Sequence, residues 1–508
     1  MKFLRKLLKT IKLLFSRYIL IILLILLQIV VIQIILVFVQ ATYWWVNLIV
    51  YGLDILLFFH IMNKKEAPEF KIPWIVLFLV FPITGIICWV FFSNHGLRRR
   101  HNKLIRKIDN SVKPYLSFND LNNEDLGYAT RNFNYLMNQT NYKYYKNCRV
   151  TYFESGEKYF DSIIEDLKKA KEFIFIEFFI INRGILWDRI HAVLKEKAKE
   201  GVEIRILFDD IGSAGNMNHI YMNKLRKEGM KVEAFNKATP ILSGIYNNRD
   251  HRKIVVIDHL AAYTGGNNLA DEYANLEERF GHWKDTGVKV EGEAINSFIG
   301  LFLQLYDLET KSVSDYDKLL NYKYEKFEEE GYVMPFGDGP KPFFKELIGE
   351  GNFLNMINGA KKSVMISSPY LIPTHSLVSA IRNAALRGVD IKIMLPGIPD
   401  KKIPYGLAKS YFKYLMDAGV KIYLYTPGFN HNKCVVVDEE LAFNGTINFD
   451  YRSLVHHFEC GVLLYKNPCI KDIVSDFNLT FEKCELVTKA KRFYGIGISI
   501  VNLIAPML

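Results

Sequence analysis

The stretches HRKIVVID at residues 251–258 and HNKCVVVD at residues 431–438 decide how this chain is read. Each opens on a histidine, places a lysine two residues later, runs through apolar, mostly β-branched positions and closes on an aspartate. A short apolar run of this composition predicts a strand buried on both faces. Strand side chains alternate, so His251 and Lys253 fall on one face near the strand start, as do His431 and Lys433. Asp258 and Asp438, at an odd offset from the histidines, take the opposite face. They complete the motif but are expected to brace the strand and its neighbouring loop.

Outward from these strands the chain repeats itself. The histidines lie 431 − 251 = 180 residues apart, and each is followed at +14 by glycine (Gly265, Gly445) and at +17 by asparagine (Asn268, Asn448). Upstream, FDSIIEDLKKAKEFIFIEFF at 160–179 reads as an amphipathic helix feeding an apolar strand, and FLNMINGAKKSVMISSPY at 353–370 repeats that pattern. The units IHAVLKEKAKEGVEIRILF at 190–208 and LVSAIRNAALRGVDIKIML at 377–395 repeat it again, with Gly201 and Gly388 closing the helices. The expectation is an α/β protein of two homologous lobes fused in one chain, over 147–330 and 331–508. A lone His-x-Lys is ordinarily a solvated strand end. His101-Asn-Lys103, whose Asp109 comes one residue too late, is read that way, as charge beside a membrane.

The first hundred residues differ in kind. Tyr18 to Val39 contains only Gln28 and Gln33 as polar members and would span about 33 Å as a helix, enough for a bilayer core. It is too long for the apolar part of a signal peptide, so it is expected to be retained. Trp44–Met62, which carries Asn47, Asp54 and His60, and Pro73–Phe92, interrupted by Pro82-Ile-Thr-Gly85, form a second and third apolar stretch with Trp44, Trp45, Trp74 and Trp89 as interfacial anchors. Three full crossings would put the basic flanks, Lys2 to Arg17 and Arg98–Arg100, on opposite sides. A third segment that is re-entrant or interfacial keeps both on the cytoplasmic side. The expected organisation is 1–43 basic start and first membrane helix, 44–100 paired membrane segments, 101–146 linker, then the two lobes.

A formal charge of +11 suits nucleic acid or anionic lipid equally, and the apolar segments favour lipid. The six cysteines lack C-x-x-C spacing, which argues against zinc and disulfide frameworks and for a reducing compartment. No metal site is expected. His456 and His457 are adjacent and would point apart on a strand, and no H-E-x-x-H or Asp-rich loop occurs.

Two His-Lys pairs supply what metal-free phosphodiester cleavage requires: a nucleophile, an acid for the leaving alcohol and positive charge on the phosphate. One imidazole attacks phosphorus to form a phosphohistidine. The other protonates the departing oxygen and then serves as base for the incoming hydroxyl. Lys253 and Lys433 hold the non-bridging oxygens, with amide donors from Asn268 and Asn448. Glu459 and Asp285, each downstream of one motif, are the carboxylates expected to fix the imidazole tautomers.

With these residues in hand, the chain resembles the phospholipase D superfamily and, within it, the bacterial cardiolipin synthases. The resemblance rests on FDDIGSAG at 208–215, NNRDHRKIVVID at 247–258, YTGGNNLADEY at 263–273, GHWKDTGVKVEG at 281–292, HNKCVVVDEELAFNGTINFDYRS at 431–453 and the paired apolar segments. It implies two phospholipase D-like α/β lobes behind N-terminal transmembrane helices, one active site at the lobe interface, no cofactor, and transfer of a phosphatidyl group between two phosphatidylglycerols. It carries over His251, Lys253, Asp258, His431, Lys433 and Asp438 as the active-site set, and implies a multi-pass protein of the bacterial cell membrane working on anionic lipid rather than nucleic acid. Asn432, the run Leu454–Phe458 and the segment before Trp44 depart from the pattern. A hydrolase using water as acceptor shares every catalytic residue, and a tethered nuclease is the weaker alternative.

Overall fold

The computed structural model describes residues 17–93, 102–116, 126–239, 247–490 and 496–507, with part of the side chains of 17–42. The basic flanks Lys2–Lys12 and Arg98–Arg100, and His101, lie outside these residues. The described chain packs into two units, one drawn from 1–96, 236–248 and 499–508, the other from 97–235 and 249–498.

In the first unit, helix α1 covers Arg17–Thr42 and α2 Trp44–Asn63. Among the described residues α2 is the helix long and apolar enough to cross a membrane by length and composition. The third apolar stretch divides where its sequence predicts a break: α3, Pro68–Val80, stops at Phe81, and α4, Pro82–Phe92, starts on the proline, whose missing N–H suits a first helical position. Trp74 and Trp89 then meet edge to face with ring centroids 5.1 Å apart. In one continuous helix, fifteen residues would separate them by about 22 Å. The two short helices therefore fold back on each other, and Gly85 permits it, since a Cβ there would come 2.5 Å from the Phe78 ring. The C-terminal turn Ala505–Met507 packs on α3.

In the second unit, the predicted repeat is visible strand by strand. The first lobe has β1 Arg149–Phe153, β2 Phe173–Phe178, β3 Glu203–Asp209, β4 Lys231–Phe235, β5 Lys253–Ile257, β6 Ala261–Gly265, β7 His282–Lys284 and β8 Gly287–Glu291. The second has β9 Tyr332–Asp338, β10 Ser363–Ser367, β11 Leu371–Ile372, β12 Asp390–Pro396, β13 Lys421–Tyr425, β14 Gly428–Asn430, β15 Cys434–Val437, β16 Leu441–Gly445, β17 Phe449–Asp450, β18 Glu459–Tyr465 and β19 Cys484–Leu486. The main sheets run β1-β8-β6-β5-β2-β3-β4 and β9-β18-β16-β15-β10-β12-β13, the second extended by β19. Position for position these are the same sheet. The crossovers β2 to β3 and β10 to β12 pair parallel, as strand–helix–strand units require.

Both faces of the sheets are buried, which is why the strands read as continuous apolar runs. In β2, Phe173 and Phe175 face the core that the two lobes build together, while Ile174, Ile176 and Phe178 pack under the first lobe's outer helices. The helix Ile295–Thr310 is buried almost throughout and fills the space between the sheets. The stretch 101–146, expected as a linker, also feeds this core: Ile105, Ile108, Phe133 and Leu136 are buried on α5, Asn102–Val112, and α6, Thr130–Thr140.

The motif aspartates sit at matching turns. Asp258, at φ +48°, accepts from the backbone N–H of Lys171, Glu172 and Phe173, and Asp438, at φ +53°, from those of Lys361, Lys362 and Ser363. Each carboxylate thereby ties the end of its histidine strand to the start of the adjacent one. Gly265 and Gly445 mark a second shared constraint, where a Cβ would come within 2.5 Å of the neighbouring strand's backbone.

Candidate active site

The lobes are joined through the residues that flank the two histidines. The His251 N–H donates to Phe458 O at 2.9 Å, and the His431 N–H donates to Lys284 O at 2.7 Å. Just before His431, β14 pairs in parallel with β7, matching Phe429 to Trp283 and Asn430 to Lys284; just before His251, Asp250 bridges in parallel to Phe458. Each histidine is thus clamped by the residue that precedes the other lobe's carboxylate.

This backbone exchange crosses the side-chain pairs. His251 Nδ1 lies 2.9 Å from both oxygens of Glu459, and His431 Nδ1 lies 2.6 Å from Asp285 Oδ2. Sequence order sets each carboxylate downstream of its own lobe's motif, whereas the fold delivers it to the other lobe's histidine. Glu459 is fully buried and held by the hydroxyls of Ser453, at 2.6 Å, and Thr446. Asp285 accepts from the Thr286 N–H at 2.8 Å and lies where a side chain at Gly266 would stand, with a Cβ 2.1 Å from its Oδ1. When Nδ1 carries the proton toward the carboxylate, the Nε2 lone pair of each ring is left for substrate.

Burial and the neighbouring lysines disfavour the charged form of both imidazoles. Burial, then Lys253, Lys433 and His431, hold His251 well below the usual imidazole range, and burial, then Lys433 and Lys253, do the same to His431. Burial also pulls the Lys433 ammonium down to about 7 and the Lys253 ammonium to about 8, opposed by Asp285 and Glu459 respectively. Burial lifts the Asp285 carboxyl to about 7 against the pull of Lys433. The mutual influence of His251, His431, Lys253 and Lys433 puts the two motifs in one electrostatic neighbourhood.

Other candidates fall differently. Asn268 donates to Tyr273 Oη at 2.8 Å and accepts from the Ile180 N–H at 3.2 Å, so its amide is engaged in ordering the first lobe's loops. Asn448 is buried, its N–H donating to Ser453 Oγ at 2.8 Å while its Oδ1 has no hydrogen-bond partner among the described residues. Asp258 and Asp438 stand at the far ends of β5 and β15, away from the imidazoles.

Two features escaped the sequence reading. Asp250 and Glu177 are fully buried next to each other, and burial raises both carboxyls, Asp250 to about 7. The corresponding pair in the second lobe is neutral, Asn430 donating to Ser367 Oγ at 2.9 Å. His456 and His457 were expected to lie on a strand and point apart. Instead a π-helical turn, Arg452–His456, precedes His457, whose ring lies 5.4 Å from that of His251, with Nδ1 3.6 Å from Glu459 Oε1. A doublet in a sequence whose neighbours carry turn signals was the available clue.

Comparison with known proteins gives a consistent result. The family described as "Cardiolipin synthase, PLD-like domain" matches residues 163–290 and 353–483, and the "Phospholipase_D-nuclease N-terminal" family matches 52–94. A protein of Streptococcus mutans described as uncharacterized is 40% identical over 88% of this chain and 99% of its own. The cardiolipin synthase of Alkalihalophilus pseudofirmus is 32% identical over 91% of this chain and 93% of its own. Among solved structures, the phosphatidylserine synthase of Haemophilus influenzae shares the fold, with a TM-score of 0.55 at 14% identity over 71% of this chain and 95% of that one.

Proposed function

We propose, from the premise that this chain belongs to the PLD-like cardiolipin synthase family, that it transfers a phosphatidyl group from one phosphatidylglycerol to a second and releases glycerol. The observation that carries the reading is the crossed arrangement: two motif histidines, each backed by a buried carboxylate of the other lobe and accompanied by its own buried lysine.

The chemistry proceeds in two displacements. In the first, Nε2 of one histidine forms a bond to phosphorus as the phosphorus–oxygen bond to the glycerol headgroup breaks, and the second imidazole delivers its proton to the leaving oxygen. In the second, that imidazole takes the proton of the acceptor lipid's glycerol hydroxyl, whose oxygen displaces the histidine and restores it. Lys253 and Lys433 neutralise the non-bridging oxygens, and Glu459 and Asp285 stabilise the imidazolium that each step creates. A neutral resting imidazole suits attack, and the incoming phosphate's negative charge favours the protonated form of its partner.

For the membrane, the reading is that α1 and α2 cross while the α3–α4 hairpin enters and returns, leaving both basic flanks and the lobes on the cytoplasmic face. Helices of 13 and 11 residues extend about 20 and 17 Å, short of a hydrocarbon core of about 30 Å. Labelling of Arg5→Cys and Arg100→Cys from the same side supports this; labelling from opposite sides overturns it.

Purified enzyme with labelled phosphatidylglycerol is expected to yield diphosphatidylglycerol, and added glycerol is expected to suppress it by mass action. Phosphatidic acid as the main product would mean a hydrolase.

A further inference from the structure

His457 makes the two half-sites unequal. It stands two residues before Glu459, as Trp283 stands two before Asp285, and each ring packs on the histidine of the other lobe: His457 on His251 at 5.4 Å, Trp283 on His431 at 5.6 Å. The indole offers no lone pair to a ligand, whereas the imidazole offers two nitrogens. His457 is nine-tenths buried, and neither ring nitrogen has a hydrogen-bond partner among the described residues. A buried imidazole without such partners forfeits hydrogen bonds it would make to water, so its position calls for a ligand.

The surroundings specify one. His251, His457 and Glu459 each present a ligand atom within 4.8 Å of the other two. Tetrahedral nitrogen and oxygen ligands at about 2.0–2.1 Å from zinc lie about 3.3 Å from one another. The observed separations, 2.9 Å from His251 Nδ1 to Glu459 Oε1 and 3.6 Å from His457 Nδ1 to the same oxygen, straddle that value. Two imidazoles and a carboxylate select Zn2+ and its transition-metal neighbours over Ca2+ and Mg2+, which prefer oxygen. The hydroxyls of Ser453 and Thr446 already fix the carboxylate, as the supporting hydrogen bonds of metal ligands do.

We propose that His251, His457 and Glu459 form a binding site for a divalent transition-metal cation, Zn2+ foremost, whose occupancy blocks the His251 half-site. Binding puts the metal on His251 Nδ1 in place of the proton shared with Glu459, and the ring's remaining proton then sits on Nε2, so while the ion is bound the ring has no lone pair with which to attack phosphorus or to accept a proton. The ion is an inhibitor and no part of turnover. Lys253 and Lys433 oppose it electrostatically, which keeps its affinity below that of an all-cysteine structural site. The binding claim stands on geometry alone; the inhibition claim rests on the proposed role of His251.

The test uses the full chain in detergent. Co2+ is expected to give the visible absorption of a tetrahedral ion in the parent and in the surface control His219→Asn but not in His457→Asn, and Zn2+ is expected to displace it. Zn2+ is also expected to inhibit the parent reversibly, with EDTA restoring activity. Measured against each protein's activity in EDTA, half-inhibition of His457→Asn should require at least about tenfold more Zn2+. His457→Cys supplies a positive signal, a thiolate-to-Co2+ charge-transfer band, should the asparagine variant fail to fold. Equal zinc sensitivity of the parent and His457→Asn, a Co2+ spectrum that persists in His457→Asn, or no charge-transfer band in folded His457→Cys would overturn the site. A chain that binds Co2+ as described yet transfers no phosphatidyl group would overturn the proposed function alone.

Discussion

His251 of the first lobe and Glu459 of the second share a proton position across 208 residues of sequence, with His251 Nδ1 2.9 Å from both carboxylate oxygens. His431 and Asp285 repeat the relationship in reverse, so neither half-site can be assembled by one lobe.

The crossed pairs make separable predictions. Glu459→Gln and Asp285→Asn should each lower kcat by about 10²–10⁴-fold with little change in KM, because the amide favours the wrong tautomer. Their phosphoenzymes should differ: the variant facing the nucleophile forms little covalent intermediate, while the variant facing the acid–base imidazole accumulates it. Trapping with labelled phosphatidylglycerol and mapping the modified histidine reads both. Full turnover in either variant excludes that carboxylate's role.

The pH profile follows from Lys433. Its folded-state pKa is depressed to about 7 by burial, and it must be protonated to hold a phosphate oxygen, so this charge is present below that pH and lost as pH rises through it. The free-enzyme profile, kcat/KM against pH, should fall on its alkaline side from about pH 7. Lys433→Arg, which stays charged, should lower the maximum but carry the alkaline limb upward. An unmoved limb would show that another group sets it.

Asp258→Ala and Asp438→Ala should lose stability before they lose chemistry. Each removes an acceptor for three backbone N–H groups, a cost of about 1–3 kcal/mol. Thermal melts should fall while the specific activity of the folded fraction stays within about threefold. A large kcat loss in a protein with an unshifted melt would return these residues to the chemistry.

Chelation should leave turnover intact. The two displacements use imidazoles and ammonium groups alone, so EDTA is expected to change kcat by less than about twofold in metal-free lipid dispersions, or to raise it where trace Zn2+ is present. A large, Mg2+-reversible loss would contradict the mechanism.

Residue order alone determined the two lobes, the apolar strands that begin just after His251 and His431, and the break at Pro82. All of these depend on local periodicity and on repetition, which survive in a linear text. The odd offset of Asp258 and Asp438 likewise separated them from the imidazoles before any coordinates. Asp285 trails His251 by 34 residues and Glu459 trails His431 by 28, so the repeat register that aligned Asn268 with Asn448 does not align the carboxylates. Only the tertiary structure decided which carboxylate meets which histidine. That choice is made by β7 pairing with β14 and by the contacts of His251 and Asp250 with Phe458, backbone hydrogen bonds between lobes that leave no periodic trace. It likewise decided that His457 turns toward His251, because a π-helical turn, not a strand, precedes it.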